Sequence, residues 1–174
     1  MPYFAAALGR RASGWSATEV DLDEVETFAD LSDMLRDLDE KADSTVLFLE
    51  EDDVYVAIVR VDGTDDPRVF VSDVRAADES RLATLLLDEV GTPEPVPFVV
   101  DDDLDESDSE ADDDETESID VVPAGDADLM ADLGTPSAAL LALCAHEGLL
   151  PADVITAISE KAGCIDELEE IRGG

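Results

Sequence analysis

The sequence is poor in the side chains that usually carry catalysis or bind metals, with one histidine and two cysteines in 174 residues. Cys144, His146 and Cys164 lack the paired C-x-x-C or H-x-x-x-H spacing of structural zinc sites. On one helix, residues 144 and 146 would point about 200° apart, so both would not reach one ion. The chain also lacks a Gly-rich phosphate loop, a G-x-S-x-G elbow and an H-E-x-x-H motif. We therefore expect no enzyme activity, no catalytic residue, no bound metal and no cofactor.

Basic residues are equally scarce, because 10 lysines and arginines stand against 47 acidic residues, giving a formal net charge of -37. About two-thirds of this excess remains when the acidic run at residues 101–120 is set aside, since 34 acids still face the same 10 bases. Nucleic-acid affinity comes largely from Lys and Arg side chains that displace counterions. This balance excludes direct nucleic-acid binding and favours basic or neutral protein surfaces as partners.

Long hydrophobic runs are absent too. No window approaches the roughly 18 to 20 apolar residues that span a bilayer, so we expect no membrane partner. At the N-terminus a short apolar stretch precedes Arg10 and Arg11, which reverses the order found in a signal peptide. We expect a cytosolic protein, in which the two cysteines are reduced thiols, although the sequence leaves a disulfide open.

The 45% of hydrophobic residues is enough for a folded core, and the strand signals are the clearest part of the chain. Residues 45–50 and 54–61 are rich in β-branched and aromatic side chains and are separated by a short acidic turn, which predicts a hairpin. Residues 68–73 extend it to an antiparallel meander, and residues 3–8 and 18–22 are weaker strand candidates. Apolar residues on both faces of the second strand predict that the sheet is covered on both sides.

Two helices should pack on this sheet. For the first, Asp23 as the N-cap and Glu26 three residues later form a predicted capping box, followed by an apolar stripe from Val25 to Leu38. The second is predicted to begin at Asp78 and to end at Gly91. Residues 1–99 are thus expected to form an α+β domain.

The composition then changes. Residues 101–120 carry 13 carboxylates and no basic residue, which is typical of a disordered segment. We predict an acidic disordered linker at residues 100–122 and a small C-terminal helical region at residues 123–174. In that region Thr135 is a predicted N-cap and Pro136 a predicted first helical residue, with helices at residues 136–148, 151–163 and 165–171. Helices this short should pack against the first domain or a partner, and their apolar stripes favour intramolecular core over docking surface.

Candidate partner-binding residues fall into two groups. Trp15 lies close in sequence to Arg10 and Arg11; it either folds over the edge of the sheet or acts as an interface anchor, since Trp and Arg are enriched at hot spots. The second group belongs to the acidic run and comprises Asp101, Asp102, Asp103, Asp112, Asp113 and Asp114. The four acids at residues 50–53 lack the pattern of a calcium loop and are interpreted as a solvated hairpin tip.

Five stretches carry a resemblance to a known family: "YFAAAL" at residues 3–8, "LFLEEDDVYVAIVRVDG" at 47–63, "RVFVSD" at 68–73, "GDADLMADLGTP" at 125–136 and "LLALCAHEGLLPADV" at 140–154. Together with their spacing, they resemble the actinobacterial tRNA adenosine deaminase-associated proteins across nearly the whole chain. The resemblance implies an association with a tRNA adenosine deaminase and no established activity. The chain itself lacks the H-x-E and P-C-x-x-C motifs of the deaminases, because Gly148 stands two places after His146.

Three hypotheses follow. The first is a non-catalytic accessory protein that binds the deaminase and modulates its access to tRNA through the acidic arm. The second is an acidic nucleic-acid mimic or regulator of another basic protein. The third is an interaction module whose linker is only a spacer.

Overall fold

The computed structural model describes residues 3–51, 54–63, 66–90, 123–145 and 150–173. Its six strands are β1 (Tyr3–Arg11), β2 (Gly14–Glu19), β3 (Ser44–Glu51), β4 (Tyr55–Asp62), β5 (Arg68–Val71) and β6 (Ala124–Gly125). Its five α-helices are α1 (Phe28–Leu38), α2 (Arg81–Val90), α3 (Ser137–Ala145), α4 (Pro151–Ala162) and α5 (Ile165–Gly173). Two 3₁₀ turns, Val74–Asp78 and Ala131–Leu133, precede α2 and α3. In these ranges no helix combines the length and apolarity needed to cross a bilayer.

The strands form one antiparallel sheet in the order β2-β1-β3-β4-β5-β6. The strands β3, β4 and β5 are the predicted meander, and β1 pairs with the outer edge of β3. The register places Ala6, Phe48, Ile58 and Phe70 in one row across four strands. The predicted α+β class with an antiparallel meander and two packing helices is therefore confirmed.

Alternating residues along the strands contribute to two separate hydrophobic cores, one on each face of the sheet. The first face carries Ala5, Leu49, Ala57 and Val71, and α1 and α2 pack on it. The second face carries the row that contains Phe48, and the segment from Leu129 to the end of α5 packs on it. Because side chains alternate along a strand, apolar residues at every position require a layer on each face. The predicted cover on both sides of the sheet is confirmed.

The C-terminal region is therefore a layer of this fold. The strand β6 pairs with β5, α4 packs on β3 and β4, and α5 packs on β1 and β2. The short helices bury their apolar residues against the sheet, as one of the two alternatives predicted. The boundaries proposed at residues 99 and 122, and the acidic disordered linker between them, lie outside the described residues and stay predictions.

The predicted cap of α1 is wrong. The helix begins at Phe28, and its capping box is formed by Thr27 and Asp30 rather than by Asp23 and Glu26. Both pairs have the required spacing, but Val25, three residues before the helix begins, is a buried residue of the loop. The first-face core thus decides where the helix begins.

Three further boundaries differ from prediction. The strand β2 is residues 14–19 rather than 18–22, because a tight turn after Arg11 returns the chain at once along β1. Ser80, not Asp78, caps α2 by accepting a hydrogen bond from the Ala83 amide at 3.0 Å. Thr135 does not cap α3, since its hydroxyl is buried and has no hydrogen-bond partner among the residues described. Gly91 and Gly148, the predicted helix ends, lie outside the described ranges.

The strands β5 and β6 approach each other so closely at Gly125 that the effect of adding a side chain there can be predicted. Gly125 has a φ of +99°, and a Cβ there would lie well inside van der Waals contact with the Val69 carbonyl oxygen. We predict that Gly125→Ala lowers the free energy of unfolding by about 2 kcal/mol or more, because strain and a backbone clash add. Urea unfolding followed by far-ultraviolet circular dichroism measures this change.

Gly63→Ala is the matched control. Gly63 also has a positive φ, +54°, but a Cβ there meets nothing within 4 Å. We expect Gly63→Ala to lower the free energy of unfolding by only about 1 kcal/mol, because the left-handed backbone conformation is its only cost. Equal losses for the two variants would contradict the close packing of β6 against the sheet.

Candidate interaction surface

The two thiols are not reactive groups. Burial raises the pKa of Cys144 to about 12 and that of Cys164 to about 11, so both remain protonated at neutral pH. His146 lies outside the described residues. Within the described ranges, no group of three or more His, Cys, Asp and Glu side chains is placed to hold a metal ion. These side chains point to packing rather than to chemistry.

A buried polar network joins β3, β4 and α2. The Tyr55 hydroxyl donates to Glu51 Oε1 at 3.0 Å, and the Ser80 hydroxyl donates to the same oxygen. Burial raises the pKa of Tyr55, which keeps the phenol protonated as a donor. Since Ser80 also caps α2, this network fixes the helix against the sheet, and its polar groups satisfy one another.

A second network, the Arg60 cluster, consists of Arg60, Asp62, Asp132 and the Leu129 carbonyl. Arg60 is only 4% exposed, and its two terminal nitrogens donate to the Asp132 carboxylate at 2.5 and 2.9 Å. It also donates to Leu129 O at 2.6 Å and to Asp62 Oδ1 at 2.8 Å. The hydrogen bonds that Arg60 donates to Asp132 raise the pKa of Arg60 further, so its charge is permanent. The cluster fastens the segment before α3 to the second face.

A third contact fastens the last helix. Arg172 lies with its guanidinium 4.8 Å from the ring centre of Phe4 and donates to Glu50 Oε2 at 3.2 Å. A cation over an aromatic face and an ion pair act together here. Both ends of the C-terminal helical segment are thus tied to strands of the sheet by arginine.

Most basic side chains form intramolecular ion pairs of this kind, whether buried like Arg60 or largely exposed like Arg75. Six of the 10 pair with carboxylates: Arg11, Arg36, Arg60, Arg68, Arg75 and Arg172. Arg81 donates instead to the carbonyls of Val25 and Leu22 at 2.6 and 3.1 Å. The carboxylates are in large excess, and most of those in the described ranges are exposed, so the surface field is strongly negative.

The predicted site residues do not form one site. Arg10 and Trp15 lie directly opposite each other on β1 and β2, on the second face. Arg11 points to the first face, where its Nε is 2.7 Å from Asp39 Oδ2. Trp15 is half-buried against the second-face core, as expected of a residue that covers the sheet edge, and its role as an interface anchor stays a prediction. Asp101, Asp102, Asp103, Asp112, Asp113 and Asp114 lie outside the described residues.

The helix α3 presents a surface that the sequence interpretation did not select. Its nine residues, SAALLALCA, include no charged side chain, in a chain of which a third is charged. Leu140 is fully buried, whereas Ala138, Leu141 and Ala142 are exposed, Leu141 by 39%. We call these three residues the α3 outer stripe. The absence of charge was the available signal, but the sequence alone did not show which face remains uncovered.

Comparison with known proteins identifies the chain. The family described as Rv3753c-like tRNA adenosine deaminase-associated protein matches residues 3–165. The chain belongs to this family. The match spans all six strands and the helices α1 to α4, so the sheet, the Arg60 cluster and the α3 outer stripe all lie within the family region. No curated protein and no solved structure matches the chain.

The Arg60 cluster gives a pH-dependent prediction. Its hydrogen bonds and charge lower the pKa of Asp132 below the value of about 3.9 expected in the unfolded chain. The stabilisation is therefore complete above the unfolded pKa and is lost as the pH falls through the folded pKa. We expect Asp132→Asn to lower the free energy of unfolding at pH 7 by about 1 kcal/mol, because the carboxylate is partly exposed and screened.

Urea unfolding of the unaltered protein and of Asp132→Asn between pH 7 and about pH 3 measures the difference in their free energies of unfolding. This difference should narrow as the pH falls. Asp128→Asn is the control, since Asp128 is exposed and forms no ion pair with a described residue. A difference that stays constant with pH would contradict the role of the Asp132 charge.

Proposed function

We propose that the protein is a non-catalytic, cytoplasmic accessory protein that binds a tRNA adenosine deaminase and modulates its access to tRNA. Membership of the deaminase-associated family, which covers residues 3–165, is the observation that carries the proposal. The charge of -37 and the lack of reactive groups in the described ranges support it. The partner is assigned through the family, and the mechanism through the electrostatics.

The acidic surface of this protein is complementary to the basic surface of an RNA-binding enzyme. An enzyme that binds tRNA needs a surface of Lys and Arg, because phosphate contacts dominate nucleic-acid affinity. This protein pairs most of its own cations with its own carboxylates and carries a net charge of -37, so its outer surface attracts such a basic face and repels RNA. An acidic protein on the basic face of the deaminase competes with tRNA for it.

The acidic run adds a separate contribution. Residues 101–120 hold 13 of the carboxylates in one stretch, including Asp101, Asp102, Asp103, Asp112, Asp113 and Asp114. Opposite charges attract one another over about 8 to 10 Å at ordinary ionic strength, and within that distance a dense run attracts a basic surface more strongly than single carboxylates do. We assign to it the acceleration of docking and the exclusion of RNA, and to the folded part the specific contact.

Titration of the protein into the cognate deaminase by calorimetry tests the proposal. We expect the affinity to fall at least about tenfold between about 50 and 200 mM salt, because charge attraction is screened. Replacing the 13 carboxylates of residues 101–120 with Asn and Gln should weaken binding and flatten this salt dependence. A deletion of the same residues serves as comparison, since it changes both charge and length.

Two results would count against the proposal. Lack of association at low salt would remove the deaminase as partner and favour another basic protein as the target. Unchanged affinity in the neutralised variant would reduce the acidic run to a spacer. Competition with tRNA then separates modulation of access from simple association, because a modulator should raise the tRNA concentration needed for deaminase binding.

A further inference from the structure

The helix α3 differs from the other helices in having no polar stripe. A surface helix normally carries charged side chains on its outer face, and a helix that is apolar all round is normally buried. The helices α1, α4 and α5 each expose two or more carboxylates, whereas α3 exposes alanine and leucine. Its sequence is that of a helix covered on both sides.

The described residues cover only one side of it. Leu140 is fully buried, and Leu143 and Cys144 are half-buried against the second-face core. On the opposite side the α3 outer stripe of Ala138, Leu141 and Ala142 follows the spacing of three and four residues that defines one helix face. Leu150, just before α4, is another exposed leucine, at 49%.

The position of α3 is well defined by its neighbours. The Arg60 cluster holds Leu129 and Asp132 to β4, and the Thr135 amide donates to Met130 O at 3.0 Å. The helix then packs on α4, which itself packs on β3 and β4. The stripe is thus presented from a supported helix, as in interface anchors that lose little conformational freedom on binding.

Charge determines which kind of protein can cover the α3 outer stripe. A second copy of this chain also carries a net charge of -37, so two copies repel each other when their α3 helices approach. The stripe itself has no charge, but exposed carboxylates flank α3 along the chain: Asp132 before it and Asp153 in the first turn of α4. A partner that buries the stripe must place positive or neutral groups around it.

We propose that the α3 outer stripe is the docking contact for a basic protein, which receives it in an apolar groove rimmed by Lys and Arg. This inference rests on the proposed function, under which that protein is the tRNA adenosine deaminase. Long-range attraction brings the acidic surface to the basic partner, and burial of Leu141 supplies the short-range specific contact.

Leu141→Glu in the full chain tests the inference, with Leu38→Glu as the matched control. Leu38 is 40% exposed and lies at the end of α1, on the other side of the sheet, so both variants add one carboxylate at an equally exposed helical leucine. By calorimetry against the deaminase we expect about 30-fold weaker binding for Leu141→Glu and less than about 3-fold change for Leu38→Glu. The added negative charge should itself favour a basic partner, so a loss reports on apolar burial.

Ala142→Glu is the second variant in case Leu141→Glu does not fold. Glutamate is a good helix former, and Ala142 is exposed, so the fold should persist while the larger side chain obstructs the contact. Far-ultraviolet circular dichroism and thermal melting check that each variant remains folded.

The outcomes are distinct. Equal binding by the Leu141 and Leu38 variants, with the unaltered chain binding well, would overturn this inference and leave the proposed function standing. No binding by the unaltered chain would overturn both. Sedimentation equilibrium that shows a dimer of the unaltered chain, dissociated by Leu141→Glu, would assign the stripe to a second copy and overturn the choice of occupant.

Discussion

The structure depends on one constraint, which is that the central strands are apolar on both faces and therefore need a helical layer on each. The helices of the described N-terminal part, α1 and α2, both lie on the first face. On the second face, Phe48, Ile58 and Phe70 would lie open to water, and covering each of them stabilises the fold by about 1.5 to 3 kcal/mol. The C-terminal segment meets this need, and the buried Arg60 fixes its position through Leu129 and Asp132.

Much of the fold could be predicted because it follows from local patterns. The strands β3, β4 and β5 are marked by β-branched residues and short turns, and the double-faced apolar pattern of β4 predicts two covering layers. Helix caps were harder to place, since the spacing at Asp23 and the spacing at Thr27 are equally suitable in sequence. Burial of Val25 in the loop, a tertiary contact, decides between them.

The candidate site was less predictable than the fold. Arg10, Arg11 and Trp15 are close in sequence, but alternation along β1 places Arg11 on the face opposite to the other two. Arg60 stands out in sequence only as a charge near the end of an apolar strand, and its partners Leu129 and Asp132 lie 69 and 72 residues away. The uncharged sequence of α3 shows that the helix is apolar, but only packing shows that Leu141 remains outside the core.

Charge acts on a partner at long range and the α3 outer stripe at short range, and both roles depend on the C-terminal segment being a layer of the fold. Cutting the chain tests this directly: a specific protease site is introduced within residues 101–120, and the cleaved protein is examined by size-exclusion chromatography and light scattering. We predict that the two pieces remain one particle of unchanged mass in native buffer and separate only in denaturant. Separation in native buffer, with loss of helical signal from the C-terminal piece, would contradict the account.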